Sequence, residues 1–242
     1  MTADPYTQSG EFLDVFSRDA WQALRPAVVE AMRHAAPGQE PIVDVGAGTG
    51  LGTLLVAEAV PDVDIIAVEP SPILRAVLLA RVAGDEALRR RVTVVAAGVE
   101  DVRLPSRLGG VLAINMLGHL SPQRRRVFWN DLRARLAPSA PLIVNLQPPA
   151  EVTTVPQTTF ASVQIGRHIY EGSGAARPSG ENTVTWTMRY RILDPGGAVE
   201  RELVADYPWH VITPAQVLDE LTAAGFAARL RELDVVVATP HT

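Results

Sequence analysis

Ile42-Val43-Asp44-Val45-Gly46-Ala47-Gly48-Thr49-Gly50 decides how the rest of the chain is read. A β-branched run carrying one acid passes into glycines on alternate positions, the pattern of a buried strand turning sharply into a helix. Glycine there permits positive φ and leaves room for a ligand against the main chain. A dinucleotide fingerprint would need G-x-G-x-x-G, and counting from Gly46 puts Leu51 where its third glycine belongs. The next apolar run, Ile65-Ile66-Ala67-Val68, ends on Glu69-Pro70, nineteen positions beyond Gly50. A carboxylate at the end of that strand can accept hydrogen bonds from both hydroxyls of a ribose.

Val43 to Gly50 fits the form (V/L)-D-(V/L)-G-x-G-x-G throughout, and with Glu69 the chain resembles the class I S-adenosylmethionine (SAM)-dependent methyltransferases of the small-molecule, natural-product type. The resemblance implies SAM as cofactor and S-adenosylhomocysteine (SAH) as product. Asp44, Gly46, Ala47, Gly48, Gly50, Glu69 and Pro70 would then surround the cofactor. After the third strand comes Ala97-Gly98-Val99-Glu100-Asp101. The family often carries an acid for the adenine amino group at the position of Gly98, and this chain departs from that pattern. Adenine is therefore expected on the Val99 backbone amide and an apolar wall, with Glu100 substituting for the acid. After the fourth strand, Asn115-Met116-Leu117-Gly118-His119-Leu120 corresponds to the segment that backs the sulfonium and meets the acceptor. Asn115 would present its carbonyl there, and His119, with an ordinary pKa near 6.5, suits removal of a proton from a hydroxyl or ammonium.

The 242 residues suffice for one α/β domain with a modest insertion, and 47% of them are hydrophobic. A net charge of −5 exerts no long-range pull on polyanions. Arg89-Arg90-Arg91 and Arg124-Arg125-Arg126 read as solvated helix faces, so nucleic acid is not an expected partner. No apolar run is long enough to cross a bilayer, and Met1-Thr2-Ala3-Asp4-Pro5 lacks a basic-then-apolar leader pattern, so no membrane partner and a cytoplasmic location are expected. Cysteine is absent, and all 22 basic residues are arginine. That removes thiolate and Schiff-base nucleophiles. No G-x-S-x-G elbow occurs and the five histidines lack metal-ligand spacing, so no metal is expected and the chemistry falls to a bound cofactor.

Strands are predicted at 42–45, 64–68, 92–96, 111–115 and 142–146, alternating with helices that begin at Ser71-Pro72 and Ser121-Pro122. Such alternation argues for a doubly wound, mostly parallel α/β sheet. The resemblance makes it seven-stranded, its last strand antiparallel beside the fifth. The chain reads as a single SAM-binding domain: a helical N-terminal lid over 1–35, a cofactor-binding core over 36–150, a cap insertion over 151–206, and a closing helix and strands over 207–242. Within the insertion the period becomes two, with Val184, Trp186, Met188, Tyr190 and Ile192 alternating with polar residues. A three-stranded antiparallel cap after the fifth strand is expected, from 162–170, 183–192 and 198–206, with the Gly-, Ser- and Pro-rich stretch 171–182 as a mobile loop.

The candidates for catalysis are His119 and His210. Those for the acceptor are Tyr6, at the methionine end of the cofactor, with Gln147, His168 and Trp209. Aromatic and apolar cap residues suggest a small-molecule substrate with substantial non-polar surface. A cap used for homodimer contacts is the plainer alternative. Some proteins resembling this family keep the fold but catalyse cyclisation or pericyclic chemistry without methyl transfer, which the motifs do not exclude.

Overall fold

The computed structural model describes residues 4–33 and 40–241, so residues 1–3 and 34–35 of the lead-in fall outside it. The core sheet contains β1 (Ile42–Val45), β2 (Ile65–Val68), β3 (Val92–Val95), β4 (Gly110–Ala113) and β5 (Leu142–Asn145), with β10 (Phe226–Leu230) and β11 (Val235–Pro240) from the C-terminal part. Its order is β10-β11-β5-β4-β1-β2-β3. All neighbours are parallel except β11, which runs antiparallel to both β5 and β10. The five strands anticipated from apolar runs therefore stand within a residue or two of their predicted limits, with β11 beside the fifth.

Strands β1, β4 and β5 are buried at every position. That is the state of a parallel sheet covered on both faces. One cover consists of α1 (Gly10–Met32), α2 (Leu51–Ala59), α3 (Pro72–Gly84) and α4 (Glu86–Arg91), which contribute Val28, Val56, Leu78 and Leu88. The other consists of α5 (Pro122–Arg135) and α6 (Pro214–Ala223), which contribute Phe128, Leu132, Val217 and Leu221. Trp129 of α5 is fully buried, and its indole N–H donates to Glu220, which also receives two hydrogen bonds from buried Arg125. The N-caps differ in their use. Thr213 and Gln216 form a complete capping box, whereas the Ser71 hydroxyl leaves its own helix and donates to Asp4.

The cap has four strands, not three: β6 (Val155–Ile165), β7 (His168–Gly180), β8 (Thr183–Leu193) and β9 (Val199–His210), antiparallel in that order. Gly166, at φ 60°, turns the chain inside the stretch expected to be one strand, and the supposed mobile loop is most of β7. Its glycines provide clearance. A Cβ at Gly172 would lie 2.6 Å from the Phe160 ring, and one at Gly174 2.9 Å from the Met188 sulfur. The predicted alternation of β8 holds. Tyr190 is stacked on Phe12 of α1 at 5.1 Å between ring centroids, so the apolar cap face meets the N-terminal helix. The opposite face carries Thr187 bonded to Asp206, and Arg189 and Arg191 paired with Glu202.

Candidate active site

Strand order reverses between β1 and β4, and a doubly wound sheet opens its ligand crevice beyond the carboxyl ends of the strands at that point. A Cβ added at Gly46 would lie 3.2 Å from Met116 Cβ, so the bend after β1 and the loop after β4 meet there. Gly46, Gly48 and Gly50 all have positive φ. Side chains strain that conformation, and these three positions carry none. At Gly48 a Cβ would meet the Gly46 carbonyl only at 3.9 Å, an ordinary contact distance.

Asp44 lies beneath the bend. Its Oδ2 accepts the Thr53 hydroxyl at 2.6 Å, tying β1 to α2. Burial pushes its pKa up to about 7, with Thr53 opposing and the charge on Glu69 adding. Glu69 is 4% exposed and points inward. Its Oε2 accepts from Gly48 N–H at 2.8 Å and its Oε1 from Ser71 N–H at 2.7 Å. Burial raises its pKa, against those two N–H groups. A carboxylate has about four acceptor sites, and two remain for a diol. A glycine bend left unobstructed at Gly48 and an inward acid with spare lone pairs fit the adenosyl group of SAM.

Pro70 follows Glu69 at the surface, and its carbonyl accepts from Arg75. Ala47 is buried, and its carbonyl accepts from Gly50 N–H. Gly98 and Val99 line the turn after β3, half-buried, and the Gly98 carbonyl accepts from Asp101 and Val102. Glu100 is exposed and paired with Arg124 at 2.5 Å. Asn115 has φ 59°, a conformation that non-glycine residues adopt rarely and mostly where the surroundings over-determine it. Asn145 does so here. Its Oδ1 accepts the Asn115 N–H and its amide donates to Asn115 Oδ1, both at 2.7 Å.

The N-terminal segment crosses this edge of the sheet. Asp4 accepts from Ser71 beside Glu69, Tyr6 reaches His119, and Ser9 is bonded to Tyr207 of β9. Asp14 of α1 accepts from Thr49 and from Arg81, and Arg81 donates to the Thr49 carbonyl, so α1 grips the glycine bend from outside. None of Asp4, Asp14, Arg81 or Asn145 was anticipated. They carry no motif and come together only through the fold.

His119 ends a single 3-10 turn, Leu117–His119. The Tyr6 hydroxyl lies 2.8 Å from its Nε2, and Trp209 stands edge-on at 4.9 Å between centroids. Burial holds the imidazole below the ordinary histidine pKa, so it is neutral at neutral pH. Burial, followed by the nearby Tyr207, Glu69 and Asp4, pushes the Tyr6 phenol up and keeps it protonated.

Tyr6, His119 and Trp209 are thus brought together, and the other acceptor-side candidates are not. His210 neighbours Trp209 on β9, and successive strand residues leave on opposite faces. Its Nδ1 is buried without a hydrogen-bond partner among the described residues, and burial, then Arg125 and Arg124, lower its pKa. His168 sits at the β6–β7 turn, half-exposed and 3.0 Å from Glu200. Gln147 lines a separate cavity of about 170 Å³ beyond β5, with Ile212 and Asp234.

Residues 42–139 match the family described as Methyltransferase domain. No curated protein sequence matches the chain. Among solved structures, DesVI of Streptomyces venezuelae superimposes with a TM-score of 0.77 at 16% identity, covering 95% of this chain and 96% of its own. The SAM-bound CalS10 of Micromonospora echinaspora, an amino pentose methyltransferase involved in calicheamicin biosynthesis, gives 0.75 at 19% identity, covering 99% of each chain. The CcbJ methyltransferase of Streptomyces caelestis gives 0.73 at 20% identity, covering 99% of this chain and 100% of its own. The fold is that of the class I methyltransferases. The domain match lies over the part of the chain that carries the glycine bend and Glu69.

Proposed function

We propose that the enzyme methylates a small, partly apolar acceptor of the natural-product type, on an amine or hydroxyl whose proton passes to His119. The observation that carries this reading is the hydrogen bond between the Tyr6 hydroxyl and His119 Nε2, under Trp209 and next to the loop after β4. Similarity to an amino pentose methyltransferase and to a sugar N-methyltransferase from Streptoalloteichus supports a sugar-like amine as the first acceptor to try.

SAM, when bound, supplies the methyl group and its own leaving group. Gly46, Gly48 and Glu69 would hold its adenosyl part, with Gly50 and Ala47 shaping the bend, Asp44 bracing it from below, and Val99 beside the base. Asn115, fixed by Asn145, would face the reacting end. The protein's own task is then to align the acceptor, exclude water and hold one proton. A neutral imidazole can take that proton at a ring nitrogen. Tyr6 orients the ring and, because its phenol stays protonated, does not compete as base. The lid over 1–35, the core over 36–150, the cap over 151–206 and the closing segment over 207–242 would work as one cytoplasmic unit. A homodimer through the cap is supported by its edge strand β6, which bears no charge and exposes Phe160 and Ile165.

The test is incubation with methyl-labelled SAM and a panel of amino-sugar and hydroxylated acceptors. Label should enter an acceptor with wild-type enzyme and much less with His119→Asn. Acceptor consumed without label would instead favour cyclisation.

A further inference from the structure

We propose that Trp209, seated in a notch left open by Gly118, is a positioning residue for His119, and that the cap strand β9 thereby fixes the imidazole and its access to water. The inference rests on the reading of His119 as the proton acceptor.

A Cβ at position 118 would fall 1.8 Å from Trp209 Cε2 and 2.2 and 2.3 Å from the ring atoms beside it. These atoms belong to a rigid bicycle, so the clash is relieved only if the whole indole lifts away. Glycine is therefore what lets the ring descend onto the turn and stand at 75° to the imidazole. Two residues back on the same face of β9, Tyr207 bonds Ser9 and lies against Tyr6, with 5.6 Å between ring centroids. One strand thus holds both the imidazole and the phenol that bonds it. The strand is itself fixed by register, Trp209 opposite fully buried Val184 and Tyr207 opposite Trp186.

The consequence concerns water. Tyr6, from the N-terminal segment, is the titratable group hydrogen-bonded to His119 among the described residues, and Tyr207 of β9 lies behind it. Asp4 and Glu69 act on Tyr6, and burial is the cause that shifts His119. Removing the indole admits solvent to one side of the ring, and desolvation is what disfavours its charged form.

The experiment follows the His119 ring protons by NMR against pH in the ligand-free protein, assigned by loss of the signal in His119→Asn. Wild type, Trp209→Ala, Trp209→Phe and Gly118→Ala are compared, with SAH affinity measured alongside. In Trp209→Ala and Gly118→Ala the titration should move up toward 6.5, with the acid limb of kcat/KM moving equally. Trp209→Phe should restore most of the wild-type value, and SAH affinity should stay within about twofold. A titration unmoved in Trp209→Ala overturns the proposal, and should Gly118→Ala not fold, the two Trp209 variants decide. Full methyl transfer by His119→Asn would instead overturn the role of the base, and the ligand-free titration would still report on Trp209.

Discussion

Asp44 is 2% exposed, and its carboxyl is raised from the ordinary 3.8 to about 7, chiefly by burial. Between those values the folded chain holds a proton that the unfolded chain has released, so this residue's contribution to stability falls as pH rises from about 4 to about 7. At about 1.4 kcal/mol per unit, the gap amounts to at most about 4 kcal/mol above pH 7. Asp44→Asn keeps an oxygen that can accept from Thr53 and carries no charge to bury. The variant should match wild type near pH 4 and exceed it by roughly 2–4 kcal/mol at pH 8. Urea unfolding of both proteins at pH 4.5, 6 and 8 measures this. The difference between the two curves reports Asp44 together with its repulsion by Glu69, whose pKa is raised as well. A variant no more stable than wild type at pH 8, or a difference that does not grow with pH, would refute the reasoning.

Glu69→Gln removes the charge that the Gly48 and Ser71 N–H groups and a bound ribose would share, and SAH affinity should fall about 10- to 100-fold by calorimetry. Unchanged affinity would take Glu69 out of the site. Tyr6→Phe deletes one hydrogen bond to His119, so turnover should drop about tenfold while SAH affinity holds. Loss of SAH affinity instead would make Tyr6 a cofactor ligand. Glu220→Ala strips the partner from buried Arg125 and from the Trp129 indole, and should cost about 3–5 kcal/mol in urea unfolding. A loss under 1 kcal/mol would mean that water reaches Arg125 readily.

The glycine bend and the inward Glu69 were legible because their geometry is local: the bend needs glycines at fixed spacing, and the acid ends the next strand. The core strands were legible for a related reason, since burial on both faces demands short unbroken apolar runs. The cluster around His119 was only partly legible. Tyr6, His119 and Trp209 lie far apart in the chain and meet through the N-terminal segment and β9. His210, adjacent to Trp209, is directed away by strand alternation alone. The glycines of β7 misled because glycine that makes room for Phe160 and Met188 is indistinguishable, along the chain, from glycine that loosens a loop. Asp4, Asp14 and Asn145 act by closing hydrogen bonds across elements, and no sequence pattern announces such bonds.

The most direct measurement is calorimetric titration of SAH into the wild-type protein, repeated with Glu69→Ala. Binding at one site per chain that is lost in the variant is the expected result. Absence of heat with wild-type protein, or binding indifferent to Glu69, would contradict a nucleoside seated on the bend after Asp44.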